Sequence, residues 1–292
     1  MDDCWSDGRF ENGTLRPNAT RFPNGIGYVA DKVHAQGYKW GMYSSAGRYT
    51  CAQYEASLGR ETEDANTFAS WGVDYLKYDN CFNQGQEGTS KLSFDRYKIM
   101  SDALNHTGRP IFYSLCNWGT DYPWDWGQTI ANSWRATGDI YDSFDRADPR
   151  CPCETWDCAL PGFHCSVMNI LNKAAPIVDK GRPGGWNDLD SLEVGNSGMS
   201  EDEYILHFTM WYVPSSTRSV KTYLTFQVST QVPPNHGQRS HPPGRFYPLY
   251  PLQPRHHRHK PGSDGQLRLP CLATPSNIPA ERLRLRCALC TG

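Results

Sequence analysis

One segment decides the fold of this chain: Trp71-Gly72-Val73-Asp74-Tyr75-Leu76-Lys77-Tyr78-Asp79-Asn80-Cys81. Residues 74–78 are predicted to form a short strand that ends on the carboxylate of Asp79. Lys77 lies two residues earlier, so both side chains project from one face of the strand. A neighbouring ammonium group favours the ionised form, which predicts a lowered pKa for Asp79 and suits a carboxylate nucleophile. This segment alone, however, favours a surface ion pair.

The alternation of strand and helix continues on both sides of this segment. The sequence predicts helices over 26–36, 64–71, 93–104 and 165–175, strands over 38–43, 75–79, 110–116 and 133–139, and a strand-to-loop junction over 185–190. Regular alternation of this kind indicates a parallel sheet. Such a sheet is either open and doubly wound or closed as a barrel.

Two observations favour the barrel. The chain contains neither G-x-G-x-x-G nor G-x-x-x-x-G-K-[ST], the glycine-rich patterns that cradle phosphates in nucleotide-binding sheets. Polar residues recur instead at the carboxyl ends of successive predicted strands, namely Tyr43, Asp79, Asn117, Asp139 and Asp190. A (β/α)8 barrel builds its active site from such positions, and the sequence therefore predicts a TIM barrel.

Charge divides the 292 residues into two parts. Residues 1–212 carry 29 acidic and 18 basic side chains, a balance of −11, whereas residues 213–292 carry 2 acidic and 11 basic side chains, a balance of +9. The last 80 residues also contain 12 of the 21 prolines. We therefore expect a catalytic domain over 1–212 and a basic, proline-rich, disordered tail over 213–292. The histidine-rich stretch 255–260 could bind a metal or a polyanion, but disorder is favoured there too.

Cysteine usage indicates an oxidising compartment, because 11 cysteines are more than a reduced cytosolic enzyme usually carries. Cys151, Cys153, Cys158 and Cys165 fall within one short segment. Two local disulfides are favoured there over a zinc site, since the first pair is spaced C-x-C and no histidine has matching ligand spacing. The pairing of these four cysteines stays open.

Three glycosylation sequons also agree with passage through the secretory pathway; they begin at Asn12, Asn18 and Asn105. The sequence shows no signal peptide after Met1 and no apolar run of transmembrane length.

Two carboxylates are candidates for acid–base chemistry on a sugar. A glycosidase needs one ionised and one proton-bearing carboxyl group on opposite sides of the anomeric carbon. Asp79 beside Lys77 fits the ionised role. Asp139 fits the proton-bearing role, because Gly138 lets a substrate approach the backbone and Arg135 can hold a sugar hydroxyl or the carboxylate. Considered alone, Asp139 is more typical of a helix cap.

Tryptophans near predicted strand ends could stack on the apolar face of a sugar, although a core position is the alternative for each. They are Trp5, Trp118, Trp134 and Trp186.

Six motifs occur in order: Asp2-Asp3-Cys4-Trp5, Gly41-Met42-Tyr43, Lys77-Tyr78-Asp79-Asn80-Cys81, Leu115-Cys116-Asn117-Trp118-Gly119, Trp134-Arg135 to Asp139, and Gly184-Gly185-Trp186-Asn187-Asp188-Leu189-Asp190. Together they resemble the melibiase-type α-galactosidases of glycoside hydrolase family 27, most closely the fungal enzymes, over residues 2–211. The resemblance implies a secreted, retaining exo-α-galactosidase. Its substrates would carry terminal α-D-galactose, as do melibiose, raffinose-type oligosaccharides and galactomannan side chains.

The resemblance implies a role for each matching residue. Asp79 matches the nucleophile, which forms a covalent galactosyl intermediate, and Asp139 matches the general acid/base. Asp2 and Asp3 match the aspartates that hold the 4- and 6-hydroxyls of galactose. Further sugar contacts are implied for Tyr43, Lys77, Arg135 and Asp190.

Three more features follow from the resemblance. Asn117 and Trp118 match the position that reads the 2-substituent of the sugar, where bulk disfavours an N-acetyl group. Cys51 and Cys81 match a disulfide beside the nucleophile. Neither a metal nor an organic cofactor is implied, and the implied partner is an α-galactoside and not a nucleic acid or a membrane.

The chain also departs from the family pattern. Met1 directly precedes the first motif, and the match stops after Phe208-Thr209-Met210-Trp211. The expectation is therefore an incomplete barrel without the first strand, most of the second and the eighth, followed by a non-homologous tail of the kind that misread splicing or a frameshift produces. Exposed sheet edges lead us to expect an unstable protein that hydrolyses α-galactosides poorly or not at all. Two alternatives stay open: a galactose-binding protein without turnover, and an α-N-acetylgalactosaminidase, which Asn117-Trp118 disfavours.

Overall fold

The computed structural model describes residues 1–151 and 163–212. The predicted tail, with its histidine-rich stretch, lies outside the described residues, and so do Cys153 and Cys158. The strands are β1 (Ser6–Arg9), β2 (Leu15–Pro17), β3 (Gly41–Ser45), β4 (Tyr75–Asp79), β5 (Phe112–Cys116), β6 (Ser133–Arg135), β7 (Asp139–Ile140), β8 (Phe163–Cys165) and β9 (Trp186–Asp188). The helices are α1 (Gly25–His34), α2 (Glu61–Ser70), α3 (Ser90–His106), α4 (Pro123–Trp126), α5 (Val167–Ala174) and α6 (Glu201–Tyr212), with short 3-10 helices over Gly127–Thr129 and Ala175–Lys180.

The main sheet has five parallel strands in the order β3, β4, β5, β6, β9. Helical segments connect each strand to its neighbour, which is the arrangement of consecutive βα units in a barrel wall. Within the described residues this sheet is open, with β3 and β9 at its edges. Two small sheets accompany it: the β1–β2 hairpin and the parallel pair β7–β8.

The four predicted helices are present as α1, α2, α3 and α5, with ends shifted by three residues or fewer. The predicted strand over 133–139 is wrong in its second half, because β6 ends at Arg135. The Arg135 guanidinium donates to the carbonyl of Gly138 at 2.9 Å and so turns the chain back. Asp139 consequently begins a separate strand, β7. The β1–β2 hairpin, α4 and α6 were not predicted.

One face of the main sheet packs against α3 and forms the core. Pairing in register brings Tyr78, Leu115 and Trp134 side by side on this face, and all three are fully buried. Tyr97 of α3 meets the ring of Tyr78 edge to face, with the ring centroids 5.9 Å apart. Alternation along the strands leaves the opposite face for polar residues.

Two of the four candidate tryptophans are core residues and not sugar platforms. Trp134 precedes Arg135 by one residue, so it projects to the helix-packed face, where its indole N–H donates to Asn187 Oδ1 at 2.8 Å. Trp5 donates its indole N–H to the carbonyl of Tyr43 at 2.9 Å and packs its ring against Phe68. Trp118 and Trp186 are half-buried.

A buried ion pair fixes the β1–β2 hairpin on α2. The two carboxylate oxygens of Asp64 accept hydrogen bonds from the Arg9 guanidinium at 2.7 and 2.8 Å. Arg9 also donates to the carbonyls of Gly13 and Ala56, so most of its donors have partners. Burial raises the pKa of Asp64 although Arg9 acts to lower it. Withdrawing the Asp64 carboxylate from water therefore costs free energy that the ion pair must offset.

Arg9→Met should destabilise the protein strongly, because it leaves the Asp64 carboxylate buried without a cation. Removing one partner of a buried pair lowers the free energy of unfolding by about 3–5 kcal/mol. Urea denaturation measures this quantity. The matched control is Lys91→Met, which breaks the exposed pair between Lys91 and Asp95 and should cost less than about 0.5 kcal/mol. Equal small losses in both variants would contradict the role of the Arg9 pair.

Candidate active site

The polar face of the main sheet carries two rows of side chains near its carboxyl end. In-register pairing of parallel strands places residues of the same row side by side. The lower row holds Tyr43, Lys77, Ser114, Ser133 and Trp186, and the upper row, two residues further on, holds Ser45, Asp79, Cys116, Arg135 and Asp188. Lys77, Asp79 and Arg135, which lie far apart in the sequence, are thus brought to one surface.

Asp79 lies buried at the end of β4, and both its side-chain carboxylate and its backbone carbonyl accept hydrogen bonds. Its carboxylate Oδ1 accepts the backbone N–H of Asn80 at 2.8 Å. Its carbonyl accepts the backbone N–H of Ala46 at 2.8 Å and the hydroxyl of Tyr97 at 3.1 Å. The position of this carboxylate is therefore set by three neighbouring segments of the chain.

Burial raises the pKa of Asp79 to about 6, although the charge of Lys77 acts to lower it. The predicted lowering of this pKa is therefore wrong. The physical reason is that withdrawal of the carboxylate from water outweighs the lysine, which makes its hydrogen bond elsewhere. Lys77 Nζ lies 2.9 Å from Asp2 Oδ2.

The first aspartates of the chain lie beside this surface. Lys77 bonds Asp2 and stands 5.3 Å from the ring centroid of Tyr43. Asp3 Oδ2 accepts the backbone N–H of Ala52 at 2.9 Å. Burial and the nearby carboxylates raise the pKa of the Tyr43 phenol far above its ordinary value, so this hydroxyl stays protonated at all working pH values. Carboxylates, an ammonium group and a phenol together suit a ligand with several hydroxyl groups.

On the other side of Asp79, Arg135 holds two carboxylates. Its Nη2 lies 2.9 Å from Asp139 Oδ1 and 2.7 Å from Asp190 Oδ2. Arg135 is buried, whereas the side chain of Asp139 is half exposed. Burial raises the pKa of Asp190 although Arg135 acts to lower it. Asp139 starts β7 and is not a helix cap. Its negative charge is one of the smaller causes that raise the pKa of Asp79.

Loops with unusual backbone conformations complete this edge. Asp190 has a φ of 74° and its Oδ2 accepts the N–H of Ile140 at 2.9 Å. Trp118 has a φ of 57°, which is rare for a bulky residue. Gly119 is required at its position, because a Cβ there would lie 2.2 Å from the carbonyl oxygen of Ala136. Asn117 is buried and donates its side-chain amide to the carbonyl of Thr120 at 2.6 Å.

The disulfide between Cys51 and Cys81, which the resemblance implies, is present beside Asp79. Among residues 1–151 and 163–212, these three residues also form the one cluster with metal-ligand atoms within 4.8 Å of each other. The two sulfurs are bonded to each other and cannot ligate as thiolates, so the cluster offers a single carboxylate. The structure also contains the disulfide Cys151–Cys165, one of the two local bridges predicted.

Sequence reasoning missed the residues that support Asp79 from α3, above all Arg96. Its guanidinium is 2% exposed and bonds both Ala46 and Asn80. One signal was available: Arg96 lies four residues before Met100 on the apolar stripe of the predicted helix 93–104, which indicates a buried arginine.

Comparison with known proteins gives a family. Residues 1–225 match the family model described as alpha galactosidase A. The chain is 61% identical over 218 residues to an α-galactosidase of Lachancea cidri, covering 74% of this chain and 46% of the relative. It is 63% identical over 220 residues to α-galactosidase mel1 of Schizosaccharomyces pombe, covering 74% and 50%. The chain thus spans about half the length of the curated relatives it matches.

Solved structures that resemble this chain belong to the same family. The α-galactosidase MEL1 of Saccharomyces cerevisiae superposes with a TM-score of 0.72 at 59% identity, covering 74% of this chain and 48% of that one. The α-galactosidase I of Mortierella vinacea gives a TM-score of 0.72 at 54% identity, covering 77% and 59%. These likenesses confirm the predicted fold class, a TIM barrel, of which the described residues form part. No helix within the described ranges is both long and apolar enough to cross a bilayer.

Asp79→Asn should stabilise the protein at pH 7.5. The pKa of Asp79 rises from 3.8 to about 6 on folding, so the folded state binds the proton more tightly, and stability falls as pH rises through this window. Above pH 6 the buried negative charge then costs up to about 3 kcal/mol, which a neutral amide avoids.

Chemical denaturation of wild type and variant at pH 7.5 and pH 4 measures the effect. The gain should shrink at pH 4, where Asp79 is protonated in the folded protein. Asp95→Asn, at an exposed position of α3, is the control and should change little at either pH. An Asp79→Asn variant that is less stable than wild type at pH 7.5 would sink this expectation.

Proposed function

The chain belongs to the alpha galactosidase A family, and we propose that its site hydrolyses terminal α-D-galactosides with retention of configuration. The observation that carries the proposal is the contrast between two carboxylates at one sheet edge. Asp79 is buried and fixed by backbone donors, whereas Asp139 is half exposed and held by Arg135. Retaining glycosidases use such a pair, with a fixed nucleophile and a proton-exchanging partner.

In the proposed reaction, ionised Asp79 attacks the anomeric carbon while Asp139 donates its proton to the leaving oxygen. A covalent galactosyl ester on Asp79 results. Asp139 then takes a proton from water, whose oxygen attacks the same carbon. The bond from this carbon to Asp79 breaks, which releases galactose and restores the Asp79 carboxylate.

The proposed recognition of galactose uses the remaining residues of the edge. Asp2 and Asp3 would accept hydrogen bonds from the 4- and 6-hydroxyls, with Asp2 oriented by Lys77. Asn117 and Trp118 would surround the 2-hydroxyl and exclude an N-acetyl group. Tyr43, Arg135 and Asp190 would complete the polar wall around the sugar.

The comparisons support an α-galactoside as the substrate class. A solved α-galactosidase of Saccharomyces cerevisiae is described with raffinose, and it is 58% identical to this chain over the 74% of the chain that matches. We therefore propose raffinose-type oligosaccharides, melibiose and galactomannan side chains as substrates, and secretion as the localisation.

The proposal predicts that the chain hydrolyses an aryl α-galactoside and that this depends on Asp79. Asp79→Asn should lower kcat/KM on the order of 10³-fold or more, because the nucleophile is lost. An α-galactose-configured cyclitol epoxide, which a carboxylate nucleophile opens covalently, should label the peptide that contains Asp79, as read by mass spectrometry. This label identifies the nucleophile even where turnover is slow.

Asp139→Ala serves as the matched variant. It should keep most of its kcat/KM on a dinitrophenyl galactoside, whose leaving group needs no proton, but lower kcat there because the second step lacks its base, and it should lose activity on melibiose. Hydrolysis that survives Asp79→Asn, or labelling at another carboxylate, would overturn the assignment. Binding of galactose without labelling would indicate a protein that does not turn over, and preference for the aryl N-acetyl-α-galactosaminide would change the substrate.

The pH profile gives an independent prediction. Because burial raises the pKa of Asp79 to about 6 and the nucleophile must be ionised, kcat/KM should fall about tenfold per pH unit below about pH 6. Initial rates with the aryl galactoside at low substrate concentration measure this limb. A limb near pH 4 would show that the Asp79 carboxylate is not desolvated in solution.

A further inference from the structure

The Arg96 guanidinium is a buried cation whose partners are oxygens of neutral groups. It is 2% exposed, and among the described residues no carboxylate lies within ion-pair distance of it. Its Nη1 donates to the carbonyl of Ala46 at 2.8 Å, its Nη2 to Asn80 Oδ1 at 2.5 Å, and its Nε to the carbonyl of Gln86 at 3.0 Å. A charged donor strengthens each of these hydrogen bonds.

Two of the three acceptors belong to residues that hold Asp79 directly. The carbonyl of Ala46 accepts a hydrogen bond from Arg96, and the N–H of Ala46 donates to the carbonyl of Asp79 at 2.8 Å. The side-chain oxygen of Asn80 accepts a hydrogen bond from Arg96, and the N–H of Asn80 donates to Asp79 Oδ1 at 2.8 Å. The guanidinium therefore bridges the ends of β3 and β4 at the point where both donate to the same aspartate.

We propose that Arg96 is a positioning residue for the nucleophile: it fixes the two peptide N–H groups that hold Asp79 at the carboxyl end of β4. This inference rests on the proposed role of Asp79 as nucleophile. Arg96 itself touches neither the Asp79 carboxylate nor the space that the sugar would occupy, and it acts through Ala46 and Asn80.

The surroundings leave these segments little room to move. A Cβ on Gly47 would lie 1.9 Å from the carbonyl oxygen of Cys81, so the loops after β3 and β4 are in direct contact. Asn80 is held on its other side by Glu87, whose Oε2 accepts the side-chain amide at 2.9 Å. The Arg96 guanidinium lies 4.7 Å from the ring centroid of Tyr97.

The chemistry favours arginine over lysine here. A planar fork of five N–H donors can serve three acceptors in fixed directions, whereas an ammonium group is a point donor on a flexible stem. Without the guanidinium, the oxygens of Ala46, Asn80 and Gln86 each lose a hydrogen-bond donor. The loops that carry them must then shift to find other donors.

A purely structural role is the competing explanation, and the chain offers a matched control for it. Arg109 bonds the opposite end of the same strand: it donates to the carbonyls of Gly72 and Val73 at 2.9 and 2.7 Å and to Asp74 Oδ1 at 2.9 Å. Arg109→Met should therefore loosen β4 away from the site.

The experiment compares Arg96→Met, Arg96→Lys and Arg109→Met in the full chain, at a temperature where circular dichroism shows each to be folded. Arg96→Met should lower kcat for the aryl galactoside about 100-fold, the loss that a displacement of about 1 Å of a reacting group can cause, with KM changed only a few-fold. Arg96→Lys should lie between wild type and Arg96→Met. Arg109→Met should lower thermal stability and keep kcat near wild type.

The second readout is the pKa of Asp79. The N–H of Asn80 acts to lower this pKa, so its displacement should move the acid limb of kcat/KM upward by about one pH unit in Arg96→Met. The other groups that face Asp79 are unchanged in these variants; they are Lys77, Asp139, Asp2, Tyr43 and Cys116. Arg109→Met should leave the limb in place.

Carbon-13 NMR titration of the Asp79 carboxyl group gives the same pKa without substrate. If wild type shows neither turnover nor labelling at Asp79, the proposed function fails, and the titration still decides whether Arg96 positions the carboxylate. An unchanged kcat and an unchanged Asp79 pKa in Arg96→Met would overturn the inference, as would equal effects in Arg109→Met. If Arg96→Met does not fold, Arg96→Lys carries the comparison.

Discussion

The burial of the Asp79 carboxylate is the constraint around which the site is arranged. Withdrawal from water raises the pKa of Asp79 to about 6, so keeping it ionised requires compensation from nearby dipoles and charges. The N–H of Asn80 supplies a direct hydrogen bond, and Lys77 supplies a positive charge that Asp2 shares. A desolvated but ionised carboxylate is more reactive than a hydrated one, because attack on carbon no longer requires the loss of its water shell.

The two sides of the site differ in how their charges are balanced. Around Asp79, one carboxylate is buried and a lysine is shared with an exposed aspartate. Around Arg135, one buried cation faces the two carboxylates of Asp139 and Asp190. The side chain of Asp139 is half exposed, whereas that of Asp190 is 15% exposed beside the guanidinium. Arg135 therefore holds one half-exposed and one mostly buried carboxylate.

Sequence reasoning found the parallel sheet and most of the edge residues because both leave local signals. Strand-end polar residues and alternation are visible in any single strand, and they placed Asp79 and Asn117 at strand ends, where the structure has them. The pKa of Asp79 was predicted in the wrong direction, because burial depends on packing that no local pattern reveals. For Trp134 the sequence left a sugar platform and a core position open, and the core position is the one found: its indole N–H bonds Asn187, over fifty residues away.

The contacts also divide the site into a firmly built part and a loosely built part. Asp79 is held by Ala46, Asn80 and Tyr97, all within the packed wall of β3, β4 and α3. Asp2, proposed to select the sugar, is exposed and reaches the sheet through Lys77. Loosening of the sheet edges would therefore displace Asp2 before it displaced Asp79. The proposed recognition of galactose would weaken first, while the position of Asp79 for the proposed attack would persist as long as the loops after β3 and β4 stay joined.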